Sequence, residues 1–202
     1  MVAVWPTTRS AAAAREAASR GALEVLAAVE AFNRARAFRE LPTRIGVDSG
    51  QLLLGNVGAS GRGEYRAVGD IVNTAARLQG LNRLLGTRVL VSAAAAAEVA
   101  GLDYRPLGDF LLVGKRMPVS VLELRAASAP DARTAELDEA FAEALALFRS
   151  GKWRAAEIAF DSIIERFPAD RPARFFAAEC RRLGARFPGG DGWDGVIRVT
   201  TK

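Results

Sequence analysis

The sequence contains no histidine and only one cysteine, Cys180, among its 202 residues. A histidine-based metal site or catalytic triad is therefore excluded, and no disulfide can form within the chain. Such low cysteine usage is typical of a reducing compartment, so we expect a cytoplasmic location. No apolar run approaches the ~18 residues of a membrane span, and the N-terminus does not resemble a signal peptide. We therefore expect no contact between this chain and a membrane.

The excess of positive over negative charge is also small, because the chain has 28 lysines and arginines and 23 acidic residues, which gives a net charge of +5. The excess is spread along the chain as single arginines, which favours a solvated surface over nucleic-acid binding. We expect no nucleic-acid partner, although a modest positive field would also suit a polyphosphate ligand.

Helix and strand patterns alternate over residues 1–125, which indicates a mixed α/β sheet domain. The opening MVAVW reads as a strand, and an alanine-rich helix is predicted over 8–38. Its apolar stripe, the expected core face, consists of Ala22, Val25, Leu26, Val29 and Phe32. Residues 43–68 then predict a strand, a tight turn in which Asp48 takes part, and a hairpin arm whose tip is GASGRG.

The second half of that domain begins with a helix opened by Gly69 and Asp70, for which Asp70 is the expected N-cap. A strand, TRVLVS, a short helix over 93–100 and a closing hairpin up to residue 125 follow. The tip sequence GNVGASGRG lacks the Gly-Lys-Ser/Thr ending of a phosphate-binding loop, so a glycine-rich turn is the better interpretation.

Beyond the domain the pattern changes to helix only. Residues 126–135 have the composition of a linker, residues 136–187 predict a helical tail, and residues 188–202 predict a loosely ordered glycine-rich tail, from which Trp193 is a candidate to pack against the domain. Cys180 belongs to the predicted apolar faces and is interpreted as core rather than as a reactive thiol. These faces contain Phe141, Leu145, Phe148, Ala156, Phe160, Ile163, Phe167, Ala173, Phe176, Ala177 and Cys180.

The segment GDIVNTAARL carries Asn73 and Arg77, which lie on the same helix face because they are four residues apart. That face lies outside the apolar side made by Ile71, Val72, Ala75 and Leu78. An amide that hydrogen-bonds a sugar beside a guanidinium that binds phosphate suits a nucleotide. The spacing alone fits a solvated helix surface equally well.

The strings RIGVDSGQLLLGNVG, EYRAVGDIVNTAARLQGLNRLLGTRVLVS and LGDFLLVGKRMPVSVLEL resemble the class III adenylate and guanylate cyclase catalytic domain. The resemblance implies an α+β fold with a ferredoxin-like mixed or antiparallel sheet, here N-terminally truncated. It also implies a site shared by two cyclase domains in a homodimer or heterodimer. Asn73 would hold the ribose of the nucleotide, and Arg77 would stabilise charge on its phosphates as ATP, or possibly GTP, is cyclised.

The chain also departs from the family pattern. The strand with the metal-binding aspartates and the purine-reading lysine would precede Met1, so we expect the two Mg²⁺ or Mn²⁺ ions to be held by a partner domain or a missing N-terminal segment. We therefore expect the chain alone to be inactive, as a truncated or mis-started gene product or as a degenerate half that pairs with a complete partner. Arg66, Asp70 and Lys115 are candidate substrate-binding residues, and Arg66 leaves the choice between ATP and GTP open because it cannot accept a hydrogen bond.

The helical tail is similar to a tetratricopeptide repeat in the segment GKWRAAEIAF and in the spacing of Ala156, Phe160, Ile163 and Pro168. Such repeats need about three copies to bury a continuous core, so this one would lean on another surface. Two interpretations of the tail remain, a helical hairpin packed on its own domain and a groove for a protein partner. The alternative to a cyclase is accordingly a non-catalytic binding module that uses the tail for assembly.

Overall fold

The computed structural model describes residues 1–7, 10–35, 40–57, 64–126 and 131–200, without the side chains of residues 56–57 and 64–66. The predicted loop tip GASGRG lies outside the described residues. The six helices of the described part are α1 Ala11–Ala35, α2 Asp70–Leu85, α3 Ala93–Ala96, α4 Ala132–Arg149, α5 Trp153–Arg166 and α6 Arg171–Arg186. Its strands are β1 Ile45–Val47, β2 Leu53–Val57, β3 Glu64–Val68, β4 Val89–Ser92, β5 Asp103–Leu111, β6 Val119–Arg125 and β7 Val196–Arg198.

Five of the strands form one mixed sheet in the order β1-β4-β6-β5-β7. The two edge strands run parallel to their neighbours, since β1 pairs with β4 and β7 pairs with β5, whereas the central strand β6 is antiparallel to both β4 and β5. Strands β2 and β3 form a separate antiparallel pair, which is the predicted hairpin arm. The result is the mixed α+β fold that the alternating pattern predicts.

Alternating side chains of β4 point to opposite faces of the sheet and so build two cores. Val89 and Val91 pack with α1 and α3, whereas Leu90 packs on the side of α2. The second core continues without a break into α4, α5 and α6. The C-terminal helices therefore cover one face of the sheet, and all the residues assigned to their apolar faces are buried.

The sequence predictions are wrong in three places outside the site. Residues 1–5 form no strand, and the ring of Trp5 instead lies against Gly21 of α1. Ala22 of the predicted core stripe is buried, but Val25 and Phe32 are exposed, because the buried side of α1 carries Ala18, Ser19 and Ala22.

The third error concerns the glycine-rich tail, which is not loosely ordered. Val196–Arg198 form β7 at the edge of the sheet. Trp193 packs edge-on against Phe148, with ring centroids 5.6 Å apart, and its Nε1 donates a hydrogen bond to the carbonyl oxygen of Phe148. The indole thus holds the tail against α4 and sets the path that leads into β7.

Candidate active site

The helix that carries Asn73 and Arg77 begins after Gly69 and ends at Gly86, which has the left-handed conformation (φ 75°) that glycine adopts readily. The prediction that Asp70 caps this helix is wrong, because Asp70 is its first residue and no side chain caps the N-terminus. The carboxylate of Asp70 instead accepts a hydrogen bond from Nζ of Lys115, in the turn between β5 and β6. A carboxylate in the first turn still interacts favourably with the helix dipole.

Two features hold α2 against β1 and so fix where the site residues lie. At Gly46 the strand comes so close to α2 that a Cβ atom would overlap the carbonyl oxygen of Ala75. The buried Asn82 donates from Nδ2 to the carbonyl oxygen of Ile45 at 2.9 Å and accepts from Oγ1 of Thr87 at 2.8 Å. These contacts fix the position of α2 relative to the sheet.

Asn73 and Arg77 line the same cavity, as their spacing predicts. The cavity has a volume of about 480 Å³ and lies between α2 and the end of β5. Asn73 is exposed and Arg77 is half-buried. The residues that line the cavity are Asn73, Ala76, Arg77, Gly80, Leu81, Arg83, Leu84, Leu112, Val113 and Val199.

The protein does not provide hydrogen-bond acceptors for all the nitrogen atoms of the Arg77 guanidinium. Within the described part of the chain, Nη1 of Arg77 is buried and has no hydrogen-bond partner. On the other side, Nη2 approaches Gly114 so closely that a Cβ atom there would lie 3.1 Å away. A buried cationic nitrogen without a partner is costly, so it is suited to bind an anion that enters the cavity.

Two of the remaining candidates, Asp70 and Lys115, are not brought to this cavity. Asp70 and Lys115 bind each other and do not line it. The side chain of Arg66 lies outside the described residues. Asp48, interpreted as a turn residue, directly follows β1 and accepts a hydrogen bond of 2.5 Å from Oγ of Ser92, the last residue of β4, and it does not line the cavity.

Sequence reasoning missed Leu112 and Val199 as lining residues. Leu112 directly follows β5, and its burial follows from the alternation within that strand. Val199 directly follows β7, and the alternating segment VIRV was the signal that could have predicted this strand. The glycines that precede it obscured that signal.

No group of three acidic or cysteine side chains that could hold a metal ion occurs among the residues that the structure describes. The chain's own described residues therefore do not fit a two-metal site. In the same ranges, no helix combines the length and the apolar character needed to cross a bilayer.

The family model described as the adenylate and guanylate cyclase catalytic domain matches residues 1–122. The chain belongs to this family. The chain is also 38% identical over 141 residues to Adenylate cyclase 1 of Rhizobium meliloti strain 1021, a match that covers 66% of this chain and 21% of that protein. The chain thus spans about a fifth of the length of that relative.

A solved structure agrees with the family assignment at the level of the fold. The adenylyl cyclase CyaB from P. aeruginosa matches 61% of this chain and 65% of its own, with a TM-score of 0.51 and 22% identity. The mixed sheet of this chain therefore has the fold of that structure. A bacterial light-regulated adenylyl cyclase matches 58% of this chain and 35% of its own, with a TM-score of 0.48 and 25% identity.

Proposed function

We propose that this chain is a class III nucleotide cyclase module of cytoplasmic second-messenger signalling that converts ATP to cyclic AMP and pyrophosphate. The observation that carries the proposal is that Asn73 and Arg77 line one cavity, in which Nη1 of Arg77 is buried without a hydrogen-bond partner. Membership of the cyclase family supports the assignment of nucleotide chemistry to this pair. ATP is proposed over GTP because the matched relative is named an adenylate cyclase.

The two residues have different proposed roles. The amide of Asn73 binds the ribose and orients its 3′-oxygen towards the α-phosphorus. The 3′-hydroxyl releases its proton to water, the new O3′–P bond forms, and the bond from the α-phosphorus to the bridging oxygen breaks as pyrophosphate leaves. Arg77 stabilises the negative charge that develops on the phosphate oxygens, because a buried guanidinium nitrogen such as its Nη1 interacts strongly with an anion.

The second half of the site is proposed to come from another cyclase domain, in a homodimer or a heterodimer. Its carboxylates would hold the two Mg²⁺ or Mn²⁺ ions that the family resemblance implies. The described residues of this chain do not fit those ions, so none of them is given a role in metal binding. We propose that the chain forms no product without such a partner.

Arg66 and Lys115 are proposed as secondary substrate contacts, and Asp70 as the residue that positions Lys115 for substrate binding. Lys115 would exchange its partner Asp70 for a phosphate oxygen of the nucleotide, a replacement of one anion by another. Asp70 would then act on the nucleotide only through the position of Lys115. Arg66, on β3 of the arm, would face the base.

A complementation experiment tests the proposal. The purified chain is incubated with ATP and Mn²⁺, alone and mixed with a class III cyclase domain that keeps its carboxylates but lacks the residues equivalent to Asn73 and Arg77. We expect cyclic AMP from the mixture only. Arg77→Ala should lower the rate by about 10²–10³-fold, the usual effect of removing a charge-stabilising donor.

Two control variants separate the cavity from general effects of charge and helix surface. Arg116→Ala removes one positive charge at an exposed residue outside the cavity, and Gln79→Ala removes an exposed amide from α2. Both should retain the rate of the unmodified chain. Product from the chain alone would contradict the need for a partner, and an unchanged rate for Arg77→Ala would exclude the proposed role of the cavity.

A second candidate function is a non-catalytic assembly module that uses a tetratricopeptide-like tail. A groove of about 330 Å³ between α4 and α5, lined by Glu136, Glu139, Glu143 and Arg166 among others, favours it. However, the apolar faces of these helices pack in one core with the sheet, as a hairpin on its own domain would. The absence of product in every mixture would favour this second function.

A further inference from the structure

The C-terminal strand β7 is held at the sheet edge beside the cavity by backbone hydrogen bonds. It pairs with β5 in the register Asp109 to Val196 and Leu111 to Arg198. The amide of Val199 extends this pairing and donates to the carbonyl oxygen of Leu111 at 3.1 Å. Residues 196–199 are therefore joined to the sheet by backbone hydrogen bonds, as the strands of the family-matched domain are.

Alternation along the strand decides which side chains point inwards. Ile197 is buried in the core beneath α2 and α4, whereas Arg198 is exposed and binds Asp194. Val199 returns to the face of Ile197, is half-buried and lines the cavity that contains Asn73 and Arg77. This residue lies 77 positions beyond the end of the family-matched region at residue 122.

The lining of the cavity is divided by chemistry. Asn73, Arg77 and Arg83 of α2 supply the polar groups, while Leu112, Val113 and Val199 make an apolar wall at the ends of β5 and β7. A nucleotide has the same division, because its phosphates and ribose hydroxyls are polar and the faces of its base are apolar. The cavity remains open with Val199 in place, so the segment forms a wall and does not fill the site.

We propose that Val199 is a nucleotide-binding residue, an apolar contact for the nucleoside part of ATP that the C-terminal segment adds to the cyclase site. The inference rests on the proposed function and extends it, because it assigns part of substrate recognition to a residue outside the cyclase domain. The contact is made equally in the ground state and in the transition state, so it should affect KM and leave kcat unchanged.

Two substitutions at this position test the inference in the complementation mixture. Val199→Trp fills the cavity and should raise the KM for ATP about tenfold or more. Val199→Ala removes two methyl groups of contact and should raise it about threefold to tenfold. Binding of a fluorescent ATP analogue to the mixture should weaken by the same factors. Thr200→Trp adds the same bulk at the next residue, which is exposed and does not line the cavity, and should change neither quantity.

The outcomes distinguish this inference from the proposed function. If Arg77→Ala abolishes product while both Val199 variants bind ATP as the unmodified chain does, the inference is wrong and the cyclase function stands. If Arg77→Ala has no effect, the function itself fails. An increased rate for Val199→Trp, or a loss of kcat at constant KM in Val199→Ala, would also overturn the inference. Thermal unfolding checks each fold, and Val199→Ala decides if the tryptophan variant does not fold.

Discussion

Arg105 of β5 and Asp170, the residue before α6, form an ion pair that joins the sheet to the C-terminal helices. Nη1 of Arg105 lies 2.6 Å from Oδ2 of Asp170, and both side chains are buried. The same guanidinium donates to Glu123 of β6, with an Nη2–Oε2 distance of 2.6 Å. Burial raises the pKa of the Glu123 carboxyl even though Arg105 acts in the opposite direction. The guanidinium thus compensates two carboxylates that are shielded from water.

Replacing this arginine should destabilise the whole chain. Arg105→Met keeps the length and the apolar stem of the side chain but leaves Glu123 and Asp170 buried without their cation. Removing one member of a buried ion network costs about 3–5 kcal/mol, so we expect the free energy of unfolding in urea to fall by that amount in a single transition. The single transition follows because the helices and the sheet share one core.

Arg149→Met provides the control for this variant. Arg149 of α4 binds Asp109 of β5 and also links a helix to the sheet, but its side chain is 46% exposed. An exposed pair contributes roughly 0–1 kcal/mol, so the control should be nearly neutral. Equal effects of the two variants, or separate unfolding of the helices and the sheet, would contradict the central role of Arg105.

The shared position of Asn73 and Arg77 could be predicted from the sequence, because two residues four apart on a helix must lie on one face. The helical faces around Phe141, Phe160 and Phe176 were equally legible, since their period of 3.6 residues does not depend on what they pack against. The hairpin arm followed from the short alternating segments on either side of a glycine-rich tip.

Features that depend on distant partners could not be predicted in this way. No residue near Asp70 in the sequence indicates that its carboxylate binds Lys115, 45 residues later, and does not cap the helix N-terminus. Val199 lines the cavity only because the tail pairs with β5, which is distant in sequence. MVAVW has the composition of a strand but pairs with no strand in the described part of the chain, and strand formation requires a partner.

Asn82 should be important for stability although it is far from the chemistry. Asn82→Leu preserves the volume of the side chain but leaves the carbonyl oxygen of Ile45 and the hydroxyl of Thr87 without their partner. Each unsatisfied buried polar group costs about 1–3 kcal/mol, so we expect a loss of about 2–4 kcal/mol in urea unfolding. Gln79→Leu, at an exposed position of the same helix, should change stability by less than about 0.5 kcal/mol. A neutral Asn82→Leu would show that Gly46 alone positions α2.

Cys180 should behave as a buried, unreactive thiol. Burial raises its pKa from 9.0 to about 12. A thiol-specific reagent at pH 8 should therefore modify Cys180 of the native chain only as fast as the chain unfolds. In the unfolded chain, the same reagent should modify Cys180 rapidly. Rapid modification of the native chain would contradict the burial of α6.

The same thiol gives the stability of the chain a defined dependence on pH. Below pH 9 the thiol is protonated in both states and contributes nothing. Above pH 9 it ionises in the unfolded chain but not in the folded chain, so the free energy of unfolding falls as the pH rises towards 12. Cys180→Ala removes this contribution, and the difference in stability between the two proteins should therefore shift in favour of the variant between pH 9 and 11. A constant difference over that range would be inconsistent with the raised pKa.

Gly114 should control the position of Arg77 without controlling stability, and Gly101 offers a matched comparison. The two glycines have nearly the same backbone conformation, with φ of 71° and 72°, so alanine costs about 1 kcal/mol at either site. A Cβ at Gly101 meets nothing within 4 Å, whereas a Cβ at Gly114 would lie 3.1 Å from Nη2 of Arg77. The end of the arginine side chain can move away from this Cβ, so strain is relieved by displacing the guanidinium from its place in the cavity.

We expect equal unfolding free energies for Gly114→Ala and Gly101→Ala. In the complementation mixture, however, the rate of cyclic AMP formation should be about tenfold or more lower for Gly114→Ala alone, because small displacements of a charge-stabilising group are costly. Equal rates for the two variants would mean that the observed position of Arg77 is not the one that catalysis uses.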